Sequence, residues 1–294
     1  MALVWKGDTG LNARMMLSFV ILGVLYIVFL SILHYLGVGY IPLAIIASAM
    51  ILAQWYFSDK IVLWSSGAKI VSKEEYPRLH EIVERLSTNN GLPKPKVAMV
   101  NSPVPNAFAT GKSPKSSLVA VTTGILDLLD NDELEAVIGH ELSHVRSRDV
   151  LVLTLASLFS TVAWYLVRFG LFGGLQARNR NTAGSSAIVL LVAITTWVVS
   201  FLIIRAISRY REFSADRGGA IMTGKPDKLA SALLKISGKI KVIPPKELEN
   251  VQKLNAFFII PSLSGSSIAN LFSTHPPVEK RVQKLMEMKS GVNK

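Results

Sequence analysis

Four long apolar runs divide this sequence, and nothing else in it restricts the fold as much. Residues 15–36 contain no Asp, Glu, Lys or Arg, and a run of that length crosses a bilayer as one helix. Residues 41–57 follow at once. Gly37, Gly39 and Pro42 break the helix between them, so the two runs predict a tight hairpin with an uncharged turn. Two further runs occupy about 150–169 and 187–207, joined by a polar loop over 170–185. The first run is too long for a cleaved leader, and the next apolar run would remain after cleavage.

The charge pattern fits the same reading. The chain carries a formal net charge of +12 and no cysteine, which excludes disulfides and thiolate metal sites. The basic residues flank apolar segments and interleave with no nucleic-acid-binding motif, so they suit anionic lipid, and no nucleic acid partner is expected. Near the span ends, Lys60, Lys69, Arg146, Arg148, Arg205 and Arg209 lie on the side of the two polar blocks, against Arg168, Arg178 and Arg180 on the other. That excess places the polar blocks in the cytoplasm.

Within the first block, Glu74–Ser87 has the periodicity of an amphipathic helix, and His80-Glu81-Ile-Val-Glu84 in it reads as a solvated face. Lys96–Val100 and Ser117–Thr122 read as short strands. Between them, Asn106, Ala107, Phe108 and Ala109 lead to Gly111 in an extended stretch of small residues. It is either an ordinary loop or an edge strand able to pair with a peptide through main-chain hydrogen bonds. After the last run, Pro226–Ser237 and Pro277–Met288 are amphipathic and 242–273 is irregular. The expected fold class is mainly α with a small β-sheet, in a four-span helical membrane protein.

The chemistry concentrates in His140-Glu141-Leu-Ser-His144. On a helix, positions i and i+4 share a face, so both imidazoles can reach one ion, and Glu141 beside them can take a proton from a water on that ion. Two histidines and a carboxylate with one open position suit zinc, one per chain. Asp130, Asn131 and Asp132 supply N-caps, and Glu133 suits a first helical turn. No Gly or Pro follows until Gly170, so this helix is expected to run straight into the third apolar run. His144 would then stand about 7–10 Å from the hydrocarbon boundary. A third ligand is needed, and Glu212 is the best candidate, with Asp216 one turn later placed to orient a ligating histidine. The competing reading has both carboxylates solvated and paired with Arg211 or Arg217. His275, before Pro276 and Pro277, can donate to an oxyanion.

This order of motifs, His140 to His144, a membrane hairpin, then Arg211-Glu212-Phe-Ser-Ala-Asp216, resembles the HtpX-like membrane zinc metalloproteases, gluzincins related to the CAAX prenyl endopeptidases. Asn106–Gly111, Thr274-His-Pro-Pro277 with Arg281 after it, and the amino-terminal hairpin extend the likeness over nearly the whole chain. The resemblance implies a zincin-type (gluzincin) metalloprotease domain assembled from 59–148 and 208–294, with hairpins at 1–58 and 149–207. It implies His140, His144 and Glu212 as zinc ligands, Glu141 as general base, Asp216 as partner of a ligating histidine, Asn106 to Ala109 as the substrate-pairing strand and His275 as a hydrogen-bond donor. The activity it implies is hydrolysis of misfolded or damaged membrane proteins and unfolded peptides at the cytoplasmic face of the cell membrane, in stress response and quality control. The alternatives are a prenyl-protein endopeptidase, disfavoured because such enzymes have more spans, and a membrane scaffold using zinc structurally. Against the scaffold, only three ligands can be named where a structural site fills four.

Overall fold

The computed structural model describes residues 9–35, 40–171, 183–242 and 275–291. The first eight residues of the tail, most of the polar loop expected over 170–185, and the irregular stretch 242–273 beyond Val242 lie outside them, as does Thr274. Two compact units are present: one holds Tyr56–Leu151 and the chain from Ser208 onward, the other Thr9–Trp55 and Val152–Ile207.

The first unit is built on a four-stranded sheet. Strands β1 (Lys69–Ile70), β2 (Lys96–Val100), β3 (Ala107–Thr110) and β4 (Leu118–Thr122) lie in the order β1-β2-β4-β3, with β2 and β4 parallel and both outer pairs antiparallel. Alternation along the strands gives each face its own packing. Val97, Met99, Val119 and Val121 join the main core with Leu79 and Val83 of helix α4 (Pro77–Asn89), Ile138 and Leu142 of α6 (Asn131–Ser147), Leu229, Leu233 and Ile236 of α9 (Pro226–Val242), and Leu285 of α10 (Val278–Ser290). Ala98, Val100, Phe108, Leu118 and Ala120 face the other way, with Leu63 of α3 (Ser58–Ser66) packed on them. A short helix, α5 (Thr123–Leu128), connects β4 to α6. Pro77 at the first position of α4 shifts that helix later than its periodicity suggests, since proline costs nothing where the N–H has no intrahelical acceptor.

Helix α6 begins where its caps place it. The Asp130 side chain accepts from the Glu133 N–H at 2.9 Å and Glu133 accepts from the Asp130 N–H at 2.9 Å, a reciprocal capping box. Glu133 also accepts from Lys235 and Ser231 at 2.7 Å each, which pins α6 to α9. The other end departs from expectation. Helix α6 does not run on into the next apolar run: Arg148 adopts φ 53° and ψ 44°, its N–H bonds back to the His144 and Val145 carbonyls, and a separate helix, α7 (Asp149–Leu171), starts beyond it. The break needs neither Gly nor Pro, because one left-handed residue closes the helix and leaves its last carbonyls satisfied. The distance of His144 from a hydrocarbon boundary, which assumed an unbroken helix, therefore does not hold.

Helix α8 (Ala183–Thr223) carries Glu212 and Asp216, and glycines set how closely it meets α6. A Cβ at Gly219 would lie 2.6 Å from the His140 backbone nitrogen, and one at Gly139 would lie 2.7 Å from Thr223 Cγ2. The backbones touch where the first histidine stands. Gly219→Ala is expected to push the helices apart, costing about 1–3 kcal/mol of stability and weakening metal retention. Unfolding in detergent with metal analysis of the same sample checks both; an unchanged protein would remove this contact from the account.

The second unit contains α1 (Thr9–Tyr35), α2 (Tyr40–Tyr56), most of α7 and the first part of α8. Phe29, Leu33, Val162, Ala163, Val167, Val189 and Ala193 form one buried cluster, and Leu22, Tyr26, Ala156 and Ile207 another. The Tyr26 hydroxyl donates to the Ala156 carbonyl at 3.0 Å. Around these clusters the outer surface is aliphatic, with Leu17, Val20, Ile27, Ile45, Leu155 and Leu191 all exposed, a surface unsuited to water. Among the described residues, two helices are long and apolar enough to cross a membrane: Thr9–Tyr35 and the part of α8 from Ala187.

Candidate metal centre

The main core orients α6 so that His140 and Glu141 are buried, 1% and 4% exposed, and His144 is partly covered. The i and i+4 imidazoles stand one turn apart, with Nε2 atoms 3.1 Å from each other. Glu212 comes up from α8 to close the group: its Oε2 lies 3.6 Å from His140 Nε2 and its Oε1 3.5 Å from His144 Nε2. Ligand atoms of His140, His144 and Glu212 all lie within 4.8 Å of one another.

What stands behind the two rings decides what lies between them. Asp216 Oδ1 is 3.0 Å from His140 Nδ1, and Asp149 Oδ2 is 2.6 Å from His144 Nδ1. A carboxylate at Nδ1 holds the proton there, so each Nε2 presents a lone pair. Two lone pairs at 3.1 Å with a carboxylate beside them repel unless a cation sits among them. The spacing is compatible too: tetrahedral zinc with Zn–N and Zn–O bonds near 2.1 Å separates its ligand atoms by about 3.4 Å, against 3.1 Å between the two Nε2 atoms and all three ligand atoms within 4.8 Å of one another. Donor chemistry, tautomers and spacing all suit a divalent ion with one position left open.

Arg281, on α10 and fully buried, neutralises the acidic side of the centre. Its Nε and Nη2 donate to Asp216 at 2.8 and 2.7 Å, and its Nη1 lies 3.4 Å from Glu212 Oε2. His275 places Nδ1 3.0 Å from the same Glu212 oxygen. Burial by itself would raise the Glu212 carboxyl, but His275, Arg281 and His144 outweigh it and hold the group well below the usual carboxylate range. Asp216 behaves alike: burial raises it, and Arg281 with His140 brings it below its ordinary value. Burial pulls the Arg281 guanidinium down, and Asp216, Glu212 and Glu141 more than restore it, leaving it raised.

The solvated alternative for Glu212 and Asp216 fails, since both are buried and the buried Arg281 pairs with both. His275 adjoins Glu212. Ala107, Phe108 and Ala109 lie in β3, an edge of the sheet among the described residues, with Asn106 buried just before it and its carbonyl accepting from the Thr122 N–H at 3.0 Å. The sequence reading missed the parts played by Arg281 and Asp149. Arg281 stood out only as a basic residue in an amphipathic helix and by its place after Thr274-His-Pro-Pro277, which assigned it no role, and Asp149 only as an acidic residue before an apolar run. The His80-Glu81-Ile-Val-Glu84 stretch takes no part: Glu84 pairs with Lys94 at 2.8 Å.

Comparison with known proteins agrees with this geometry. Residues 73–289 match the model of peptidase family M48. The chain is similar to a protein named Protease HtpX homolog 2 from Methanosarcina acetivorans, 52% identical over 98% of this chain and 99% of the relative. It is also similar to one named Protease HtpX homolog from Moorella thermoacetica, 51% identical over 96% and 95%. In fold it resembles the crystal structure of S. mikatae Ste24p, with a TM-score of 0.57 at 17% identity; the match covers 92% of this chain but only 64% of that one. With the family model matching most of its length and such relatives along all of it, this chain belongs to peptidase family M48 and is a membrane metalloprotease of the HtpX type.

Proposed function

We propose that the chain is an integral membrane zinc endopeptidase that hydrolyses misfolded or damaged membrane proteins at the cytoplasmic face of the cell membrane. The observation that carries the catalytic part is the pair of Nε2 atoms 3.1 Å apart, each ring backed by its own carboxylate, with Glu212 closing the third side. His140, His144 and Glu212 hold the ion, and Asp216 keeps His140 in the ligating tautomer. Bound there, zinc supplies the acidity that makes a water nucleophilic at neutral pH and polarises the scissile carbonyl. Glu141 takes the proton of the attacking water and returns it to the leaving amine. His275 donates to the oxygen that gains charge. The outer edge of β3, from Asn106 to Ala109, pairs with the extended substrate through main-chain hydrogen bonds.

The membrane part rests on the four apolar runs, on helices in all four places and on the aliphatic surface of the second unit. Four spans return the chain to its starting side after each hairpin, so 59–148 and 208–294 share one compartment, and the basic residues flanking them make it the cytoplasm. Membrane-embedded or membrane-tethered chains are then the substrates within reach, which suits a stress-response role. The direct test is cleavage of casein by protein purified in detergent. Chelation is expected to reduce cleavage to background, and added zinc to restore it with about one ion per chain. Undiminished cleavage by fully metal-free protein would sink the reading.

A further inference from the structure

Asp149 belongs to no motif, yet its side chain enters the metal centre. Its Oδ2 stands 2.6 Å from His144 Nδ1 and its other oxygen meets the guanidinium of Arg211. Arg211 is itself buried and also donates to the Ser147 carbonyl at 3.2 Å. The backbone explains how this comes about. The left-handed turn at Arg148 ends α6 and makes Asp149 the first residue of α7, so its carboxylate folds back onto the last turn of α6, where His144 stands. The arrangement repeats the one around the first histidine. Arg281 holds Asp216 against His140, and Arg211 holds Asp149 against His144.

We propose that Asp149 is a positioning residue for the metal: it holds His144 with Nδ1 protonated and Nε2 aimed at the ion, and Arg211 holds Asp149 in place. The inference rests on the zinc reading of this site. Physically, a ring with a free Nδ1 can carry its proton on either nitrogen and can turn about its bonds, so part of the population cannot ligate. A charged acceptor at 2.6 Å removes both freedoms and makes the imidazole a stronger base toward the ion. The same contact gives the break at Arg148 a purpose, because an unbroken helix would carry residue 149 away from the face of His144.

The test is metal binding, read on full-length protein in detergent carrying Glu141→Gln so that no cleavage intervenes. Zinc affinity is measured by competition with chelators of graded strength, and the cobalt-loaded protein gives a visible spectrum that reports ligand geometry. Asp149→Asn is expected to weaken zinc about 10- to 100-fold and to shift the cobalt bands. Arg211→Gln, which leaves the carboxylate beside His144, is expected to weaken zinc less than Asp149→Asn. Should Asp149→Asn fail to fold, Asp149→Glu carries the test: it keeps the charge for Arg211, and its longer arm displaces the ring, so the cobalt bands move. A folded variant at position 149 with the parent's affinity and spectrum overturns the proposal. Parent protein that takes up no metal would overturn the zinc reading beneath it instead.

Discussion

Glu141→Gln is expected to lower the rate of casein cleavage about 10²- to 10⁴-fold while the protein keeps its metal and its unfolding temperature. The substitution is nearly isosteric in a position only 4% exposed, so packing along α6 is conserved. The amide cannot accept the proton that the carboxylate takes from water, and that step is the one lost. Glu141 is outside the group formed by His140, His144 and Glu212, which is why the metal stays. Replacing His140 or Glu212 with Ala should remove metal and activity together. Zinc content and initial rate, measured on the same preparations, separate the two classes. A Glu141→Gln protein cleaving at the parent rate would mean that some other base does the work.

The juxtaposition of His140 and His144 was legible from five residues, because helical periodicity alone makes the two positions neighbours. Strands β2 and β4 were legible for a related reason, each being a short apolar run between Pro, Gly and Ser. Helix α5 and strand β1 were not, since six and two residues carry no period. The end of α6 shows the limit of breaker residues as signals. Arg148 adopts a conformation that costs an ordinary residue about 1–2 kcal/mol, and no composition rule reports it. What offsets that cost is the His144 and Val145 carbonyls it satisfies and the ion pair between the next residue, Asp149, and the distant Arg211.

The site divides along the same line. Glu212 and Asp216 share a helical face by spacing, so their joint role could be posed from sequence. Their partner could not, because Arg281 is 65 residues from Asp216 and reaches it only through the packing of α10 on α9. Gly139 and Gly219 are likewise silent until the helices are seen in contact. Local periodicity thus pairs His140 with His144 and Glu212 with Asp216, while Arg281 and Arg211, which hold the carboxylates behind the two rings, are distant in the chain and appear only in the fold.

Arg281 therefore carries the second large effect. Arg281→Met fills much of the same volume with no charge and leaves Glu212 and Asp216 buried without their cation, which is expected to cost about 3–5 kcal/mol at neutral pH. The pH dependence separates charge from packing. In the parent protein both carboxyls have folded values below their unfolded ones, so their contribution is full above the unfolded values, near pH 4, and is lost as pH falls through the folded values. Without Arg281, Asp216 loses the partner that opposes burial most and its folded value rises, while Glu212 keeps His275 and rises less. A carboxyl whose folded value exceeds its unfolded one destabilises the protein when ionised, and that penalty disappears on protonation. The gap between parent and variant should therefore be widest near pH 7 and narrow toward pH 4. Unfolding of the metal-free proteins in detergent, followed across that range, checks it, with Arg281→Lys falling between because a lysine keeps the charge and loses the two-pronged contact to Asp216. A gap that stays constant across pH would show that Arg281 acts through volume alone and that the acidic side of the centre is balanced by other groups, His275 first among them.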